Sequence, residues 1–343
     1  MTKDPMAALK AALPAHAMQD FDLFEKLKTK FYPTAREDRL NKAFLKLIRD
    51  AVEREDTNAE LGYENRNKGK GLVLWGPTRT GKTSSMEKQF DDYAGFDGWR
   101  NPASDSPLLW ISLPSPCTNV QVGRSLYTAA TGSVLHGDPP AHKLFELASR
   151  AIVARRKMFV GLGELQHATH GVNGTDQQVL SDALKDLMEV HKLNLFVTGI
   201  ETVVPFLQND AQLLTRLSLV PFEKLTPDDL ETVEDMVETY AEAAGVTVDD
   251  GDDPDFYPRI VHGCLGALGL SIEVTLAALQ DCRSSGQKAL TRDSYANAFA
   301  ERTGVAASRN PFVADGWMDI DCSLIVPPAP SGPVSPTKKS RKR

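Results

Sequence analysis

Residues 71–85 read GLVLWGPTRTGKTSS, and this stretch decides the fold. The apolar run LVLW ends abruptly at Gly76, and a small polar loop, a second glycine, a lysine and hydroxyl residues follow it. The spacing matches the pattern G-x-x-x-x-G-K-[ST] between a strand and a helix. Backbone N–H groups of such a loop form a nest for anions, and the helix adds its positive amino-terminal end. The sequence therefore predicts a loop that binds the phosphates of a nucleoside triphosphate.

Each part of this loop has a predicted role. The glycines let the backbone approach phosphate oxygens without a Cβ clash. The ammonium of Lys82 would contact the β- and γ-phosphates, and the hydroxyl of Thr83 is the expected ligand of Mg²⁺. The predicted nucleotide-binding residues are Gly76, Pro77, Thr78, Arg79, Thr80, Gly81, Lys82, Thr83 and Ser84, with Thr83 also the predicted metal ligand.

Apolar runs and helical segments alternate along the middle of the chain. Such runs are apolar on both faces, which is typical of buried parallel strands. The alternation predicts an α/β fold with a parallel five-stranded sheet flanked by helices. The candidate strands are LVLW at 72–75, LLWISL at 108–113, MFVGL at 158–162, NLFVTG at 194–199 and LSLVPF at 217–222.

The pattern changes on both sides of this alternation. Residues 1–65 are predicted to form an N-terminal helical segment, and residues 66–225 an α/β nucleotide-binding core. After Phe222 the strand patterns stop, and residues 226–309 are predicted to form a small, all-helical lid domain that begins at a Thr N-cap signal. Residues 310–343 are predicted to be a C-terminal extension with a disordered basic tail.

Composition and charge exclude several classes of protein. The net charge of −7 argues against a protein that coats nucleic acid by bulk charge, and it leaves local basic patches open. The four cysteines are scattered without a CxxC pair, so we expect neither zinc nor disulfides, and a cytoplasmic location. We expect no secretory signal, and the longest apolar stretch, 260–279, is too polar for a membrane span.

An acid after a second strand is the next part of a nucleotide-hydrolysing site. An apolar strand ends at Gly163-Glu164, where ATPases of this kind usually carry Asp-Glu. The Asp of such a pair organises the Mg²⁺ shell through water, and the Glu polarises the attacking water. Glu164 is therefore the predicted base, with a plain surface acid as the alternative. Gly163 leaves the site without the usual Asp.

Two further residues are catalytic candidates beside Glu164. Thr198, on the fourth strand, could lie near the γ-phosphate, or it could be a strand threonine without a catalytic role. Arg216, just before the fifth strand, could neutralise charge on the phosphate of a neighbouring subunit. The alternative for Arg216 is a solvated arginine that stabilises a helix end.

Weaker signals come from histidines and from basic clusters. His167 and His170 have metal-compatible spacing but no third ligand nearby, so a polar loop is the favoured interpretation. Several cations could contact the phosphates of nucleic acid, with a solubilising role as the alternative for the tail. These cations are Arg66, Lys68 and Lys70, then Arg150, Arg155, Arg156 and Lys157, and the tail residues Lys338, Lys339, Arg341, Lys342 and Arg343.

A series of segments carries a family resemblance. They are FYPTAREDRLNKAF, GPTRTGKT, LLWISLPSPCT, MFVGLGELQH, TGIETVVPFLQNDAQLLTRLSLVPFEKL and ALTRDSYANAFAERTG, followed by NPFVADGW. Together they resemble the TniB/TnsC-type transposition ATPases of the AAA+ superfamily. The resemblance covers the chain from about Phe31 to Trp317. The segment 197–225 and the NPF-containing end are its more specific parts, because many families share the phosphate loop.

The resemblance implies a function. Such proteins bind ATP with Mg²⁺ between subunits and assemble as rings or helical filaments on double-stranded DNA. Their partners are a transposase and, often, a TniQ-like target-selection protein, so they choose where an element inserts. By this resemblance Lys82 and Thr83 bind phosphate and Mg²⁺, and Glu164 activates water. Thr198 resembles the polar sensor of the fourth strand, and Arg216 resembles the arginine finger.

The chain departs from the family pattern at two positions. Gly163 replaces the Asp, and Ala267, within 263-GCLGALGL-270, stands where relatives often carry an arginine in the lid. We therefore expect ATP binding with slow hydrolysis or none. Two other functions stay open beside the transposition regulator. One is a nucleotide-using enzyme such as a small-molecule kinase, and the other is a nucleotide-gated scaffold in a defence or helicase-loading system.

Overall fold

The computed structural model describes residues 4–169 and 174–326. Their contacts form two compact units, which we call the α/β unit, residues Thr34–Glu223, and the helical unit, residues 4–33 with 224–326. The predicted N-terminal helical segment is divided between them, because its last helix belongs to the α/β unit and its earlier helices to the helical unit. The tail at 327–343 and His170 lie outside the described residues.

The α/β unit is built on a sheet of five parallel strands. Their spatial order is β2-β3-β4-β1-β5, and every neighbouring pair is parallel. The predicted α/β fold with a parallel five-stranded sheet is confirmed, and each predicted strand matches an observed one to within one residue at either end. The strands are β1 (Gly71–Trp75), β2 (Leu108–Ser112), β3 (Phe159–Gly163), β4 (Asn194–Gly199) and β5 (Leu217–Pro221).

Helices cover both faces of this sheet. Successive side chains of a strand point to opposite faces, so Leu72 and Leu74 of β1 pack with aromatic rings such as Phe44 and Phe90. Val73 packs on the other face, in a second apolar cluster that includes Leu184. The helices, numbered in chain order after two in the helical unit, are α3 (Ala35–Val52), α4 (Lys82–Asp92), α5 (Asn119–Thr131), α6 (Ala141–Ala154), α7 (Gln166–Thr169), α8 (Gly174–Glu189), α9 (Val203–Gln208) and α10 (Ala211–Leu214).

The helical unit has its own apolar core and one short pair of strands. The region after the sheet is helical, as predicted, and it departs from the all-helical prediction only in β6 (Thr247–Val248) and β7 (Ala289–Leu290), which pair in parallel. Two-residue strands are too short to produce a readable periodicity. The helices of this unit are α1 (Pro5–Ala12), α2 (Phe21–Thr29), α11 (Leu230–Ala244), α12 (Phe256–Gly263), α13 (Leu268–Ser284) and α14 (Arg292–Thr303).

The longest apolar stretch lies in α12 and α13. Among the described residues, no single helix is long and apolar enough to cross a membrane. These two helices reach the required length and composition only together, and a bend of 117° separates them.

The indole of Trp110 lies against the neighbouring strand β3, and glycines of β3 make room for it. In the sheet register Trp110 pairs with Gly161 and Ser112 pairs with Gly163. A Cβ on Gly161 would lie 2.0 Å from Trp110 Cε3, and one on Gly163 would lie 3.0 Å from Cζ2. A side chain at residue 161 would therefore collide with the ring, and one at residue 163 would be in tight contact with it.

We expect Gly161→Ala to destabilise the α/β unit by about 1–3 kcal/mol, because the new methyl group overpacks the site beside Trp110. Denaturant unfolding measures this change. Gly62→Ala is the matched control, since a Cβ there meets nothing within 4 Å, and we expect it to change the free energy of unfolding by less than about 0.5 kcal/mol. Equal effects of the two substitutions would contradict the packing argument.

Candidate nucleotide-binding site

The predicted phosphate loop leaves the carboxyl end of β1 through a glycine that no other residue could replace without strain. Gly76 has a φ of +152°, and a Cβ there would lie only 2.2 Å from the carbonyl oxygen of Phe222. Its N–H donates to the carbonyl oxygen of Gly199 at the end of β4, with a distance of 3.2 Å. The start of the loop is therefore fixed to the ends of both strands that flank β1.

The end of the loop opens helix α4 towards an anion. Gly81, with a φ of +94°, occupies the N-cap position, and no side chain caps the first turn. The free N–H groups of that turn belong to the loop residues that follow Gly81, which include Thr83, and they can bind phosphate oxygens. Inside the loop the hydroxyl of Thr80 donates to the carbonyl oxygen of Pro77 at 2.9 Å. Arg79 holds a left-handed φ of +63°, a conformation that is costly for a residue other than glycine.

Lys82 is buried at the centre of this loop. Its side chain is 6% exposed, and its ammonium donates to the carbonyl oxygen of Pro77. Burial lowers the pKa of Lys82 to about 8, against the opposing effect of the carboxylates of Glu164 and Glu201. A partly desolvated cation held by one carbonyl oxygen is suited to exchange that weak partner for a phosphate.

Glu164 lies beside this lysine, at the first position after β3. Its backbone has a left-handed φ of +60°, and its N–H donates to the Thr198 hydroxyl at 3.3 Å. Thr198 is fully buried on β4, where its carbonyl oxygen also accepts the N–H of Leu165 at 2.9 Å. The structure therefore brings Glu164 and Thr198 together, and it places the Thr198 hydroxyl on the backbone of Glu164.

Gln166 is a site residue that the sequence analysis missed. Its side-chain nitrogen donates to the carboxylate of Glu164 at 2.6 Å, and its side-chain oxygen accepts the N–H of Ile200 at 3.2 Å. The side chain is 6% exposed. Gln166 thus ties the carboxylate after β3 to the turn after β4. The GELQ segment was visible in the sequence, but nothing in it indicated which way the glutamine would face.

Glu201 is the second residue that the sequence analysis missed. It is exposed, it follows Gly199 by two residues, and its charge acts on Lys82. Its position in the sequence could have indicated it. The carboxyl ends of parallel strands lie at the same end of a sheet, so an acid just beyond β4 is expected near the phosphate loop, as is an acid just beyond β3.

Arg216 lies at the amino ends of the strands, whereas the phosphate loop lies at their carboxyl ends. Its carbonyl oxygen accepts the N–H of Gly71 at 2.9 Å, at the amino end of β1. The loop leaves the carboxyl end of that strand, about 13 Å away at ~3.3 Å per residue. The Arg216 side chain forms an ion pair with Glu189, and its buried Nε has no hydrogen-bond partner among the described residues. Arg216 therefore does not join the loop of its own subunit.

Several predicted cations have structural roles instead of exposed ones. Arg66 is 6% exposed and lies 3.7 Å over the ring of Tyr63, and Lys157 is 1% exposed and donates to the carbonyl oxygens of Ser104 and Ser106. Lys70 pairs with Asp50 and Arg150 with Glu146. Arg66 and Lys157 are therefore too buried to contact the phosphates of nucleic acid, a contact that the sequence analysis had allowed for all seven cations. Lys68, Arg155 and Arg156 are exposed.

Within 4–169 and 174–326, no group of three or more His, Cys, Asp or Glu residues could hold a metal ion, and all four cysteines are free and buried. His167 lies in the short helix α7. In the helical unit, Ala267 is 5% exposed and is the N-cap residue of α13.

The residues of the loop fit a nucleotide with its cation. The loop offers an uncapped helix end, a buried ammonium and, at Thr83, a partly exposed hydroxyl in the first turn of α4. Glu164 and Glu201 follow the carboxyl ends of β3 and β4, and the charges of both carboxylates act on Lys82. Such an arrangement can bind phosphates, orient a water molecule and hold a hydrated divalent cation.

Three solved structures share this fold. Cdc6p from Pyrobaculum aerophilum has a TM-score of 0.56 and 13% identity, covering 81% of this chain and 70% of that one. The Aeropyrum pernix Orc1 protein in complex with DNA has a TM-score of 0.53 and 17% identity, covering 80% and 65%. Drosophila ORC bound to DNA has a TM-score of 0.53 and 16% identity, covering 87% and 70%.

The parallel sheet, the phosphate loop and these similarities define a AAA+ P-loop ATPase fold. The family model described as "Bacterial TniB protein" matches residues 41–226, more than half of the chain, and the chain belongs to this TniB family. The predicted resemblance is thereby confirmed. No curated protein matches the chain. The chain spans about 65% of the length of the A. pernix Orc1 protein.

We expect nucleotide binding to weaken as the pH rises through about 8, because the pKa of Lys82 is about 8 and only its charged form attracts phosphate. The dissociation constant of a fluorescent ATP analogue should stay level between pH 6.5 and 7.5 and rise by up to about tenfold per pH unit above 8. Lys82→Arg is the control, since arginine stays charged and its profile should be flat. The same rise in both proteins would exclude Lys82 as the cause.

We expect Gln166→Glu to move the acid limb of the pH profile of single-turnover ATP hydrolysis to higher pH. The new carboxylate would lie within hydrogen-bond distance of the Glu164 carboxylate, and the two like charges repel each other when both are ionised. Gln166→Leu should lower the rate with little change in ATP affinity, because it frees the Glu164 carboxylate without touching the loop. A purely structural role would lower stability in both variants and leave the pH profile in place.

Proposed function

We propose that this chain is an ATP-dependent AAA+ regulator of DNA transposition that oligomerises on double-stranded DNA and recruits or activates a transposase at the target site. The observation that carries the proposal is a phosphate loop with a buried Lys82 and an uncapped α4, in a chain of the TniB family. The A. pernix Orc1 protein is in complex with DNA and Drosophila ORC is bound to DNA, which supports a DNA-associated role for the shared fold.

At the nucleotide, the loop residues 76–84 would hold the phosphates of ATP, and Thr83 would be the ligand of Mg²⁺. A bound Mg²⁺ would neutralise charge on the β- and γ-phosphates. Glu164 would accept a proton from the attacking water, with its carboxylate oriented by Gln166. Thr198 would act by holding the backbone of Glu164 in its left-handed conformation.

Assembly would complete the site. Arg216 lies at the amino end of β1, and its own loop lies at the carboxyl end of that strand. Arg216 would therefore reach a phosphate only in a neighbouring subunit. Its pairing with Glu189 would then be exchanged for the phosphate on assembly. Residues 226–309 would form the lid, in a homo-oligomer that is a ring or a filament. A transposase and a TniQ-like target-selection protein are the proposed protein partners, and the free buried cysteines fit a reducing cytoplasm.

Lys68, Arg155 and Arg156 are the proposed contacts to DNA phosphates within the α/β unit. All three are exposed, and they precede β1 and β3. The guanidinium of Arg156 lies 5.3 Å from the centre of the Tyr63 ring, whose hydroxyl donates to the Lys157 carbonyl oxygen. These cations would add a salt-dependent, sequence-independent contribution to binding.

A nucleotide-gated scaffold with weak hydrolysis is the second candidate. The observation that favours it is Gly163, which supplies no carboxylate and where a Cβ would lie only 3.0 Å from the indole of Trp110. A chain that binds ATP without hydrolysing it would lock its assembly, and a partner would have to take it apart.

The test is ATP turnover by the purified protein with and without duplex DNA, beside Lys82→Ala and Glu164→Gln. We expect DNA to raise turnover and both variants to lose it, Lys82→Ala through lost nucleotide binding and Glu164→Gln through a lost base. Loss of a general base costs about 10²–10⁴-fold. Glu164→Gln should retain ATP-dependent binding to DNA in a gel-shift assay.

The turnover measurement also decides between the two candidates. Tight ATP binding without turnover in the wild-type protein would favour the scaffold.

A second experiment tests the proposed contacts to DNA. Arg155→Ala with Arg156→Ala should weaken DNA binding and lower its salt dependence, with Arg150→Ala, which removes a cation paired with Glu146, as the control. No ATP-dependent complex with DNA at low or high salt would contradict the proposal.

A further inference from the structure

The end of β3 is tightly packed around Gly163, the residue that stands where the usual Asp would be. A Cβ at residue 163 would lie 3.0 Å from Trp110 Cζ2 and 3.2 Å from the hydroxyl oxygen of Ser112. A Cβ at Gly161 would lie closer still, 2.0 Å from the same indole. The ring thus lies against the strand, and a side chain at residue 163 would require the indole or the Ser112 hydroxyl to shift slightly. Residue 163 itself supplies no carboxylate, so a second carboxylate at this site would come from another strand.

The end of β4 supplies that carboxylate. In the sheet, β4 lies directly beside β1, whereas β3 is one strand further away. Trp75 of β1 pairs with Gly199 of β4, and the N–H of Gly76 donates to the Gly199 carbonyl oxygen. Glu201, two residues further on, is therefore attached through a short turn to the strand end that anchors the phosphate loop.

The side chain of Glu201 is available for a ligand. It is exposed, and within residues 4–169 and 174–326 it forms no hydrogen bond or ion pair. Its charge nevertheless acts on the buried Lys82, as does that of Glu164. Glu164 differs, because its carboxylate accepts a hydrogen bond from Gln166 and its backbone is held by Thr198. The carboxylate of Glu164 is thus oriented by other residues, and the carboxylate of Glu201 is not.

We propose that Glu201 takes the place of the missing Asp, and that it acts with Thr83 on the hydrated divalent cation of a bound nucleoside triphosphate. The inference rests on the proposed function, since it concerns the same nucleotide site. The division of the two acids leaves Glu164 for the attacking water. It also predicts a cost: without the cation, the Glu201 carboxylate repels the nucleotide phosphates.

The test measures the affinity of a fluorescent ATP analogue in EDTA and in Mg²⁺, and compares the ratio of the two between variants. Glu201→Gln should bind the analogue in EDTA as tightly as the wild-type protein or more tightly, because a repulsive charge is gone. Its gain in affinity from Mg²⁺ should be about tenfold smaller, the low end of the range for losing an outer partner of a metal site. Binding of Mn²⁺ to the protein–ADP complex, followed by electron paramagnetic resonance, should weaken to the same extent.

Glu60→Gln is the matched control, since Glu60 is an exposed glutamate among the loops that precede β1, and its Mg²⁺ gain should equal that of the wild-type protein. An unchanged gain in Glu201→Gln would overturn the inference alone. A loss confined to Glu164→Gln would overturn it too, because Glu164 would then hold the cation. No analogue binding by the wild-type protein at any Mg²⁺ concentration would overturn the proposed function itself, and with it the role of Glu201.

Discussion

The close approach of three strand ends around Gly76 is the constraint on which the site depends. The carbonyl oxygen of Phe222 lies where a side chain of residue 76 would be, and the N–H of Gly76 is bonded to Gly199. This contact fixes where the phosphate loop begins, and it fixes the end of β4 beside the loop. Because β4 pairs with β1 along the strand and is also bonded to Gly76 at its end, the residues just beyond β4, including Glu201, follow directly from the strand end that anchors the loop.

The burial of Lys82 shows what this arrangement costs the folded chain. A pKa of about 8 against an ordinary value of 10.5 corresponds to roughly 3 kcal/mol against the charged form. The folded pKa is the lower one, so the full cost applies below pH 8, where both states are charged. It fades as the pH rises from 8 to 10.5, where only the unfolded chain keeps the proton. At pH 7 the folded chain is therefore less stable with the buried, charged Lys82 than it would be with a neutral residue there, as is common at functional sites.

The sheet could be predicted because buried parallel strands are apolar on both faces, a pattern that LVLW and NLFVTG display within a few residues. The phosphate loop could be predicted because its chemistry fixes residue types at fixed spacing. β6 and β7 could not, since two residues carry no period. Arg66 and Lys157 were misjudged for another reason: a charge cluster in sequence does not reveal which of its members fold inward onto carbonyl oxygens or an aromatic ring.

The features of the site that the sequence did not predict are contacts between residues of different strands or of the turns that follow them. Gln166 bonds both Glu164 and the turn at Ile200, which lies 34 residues further along the chain. The contact of Trp110 with Gly161 and Gly163 arises because β2 lies beside β3 in register, and the sequence alone does not show that the indole lies against the position of the usual Asp.

The proposed role of Glu201 links the tryptophan packed on β3 to the acid placed after β4. Once the indole occupies the edge of β3, β4 is the strand between it and the loop, and its end is already bonded to Gly76. A carboxylate at Glu201 is tied to the loop through backbone alone, whereas Glu164 depends on Gln166 and Thr198 for its position. Movement of the turn after β4 would shift Glu201 directly. It would also shift the Glu164 carboxylate, because Gln166 bonds both that carboxylate and Ile200 in the turn. The positions of both acids therefore depend on the same turn.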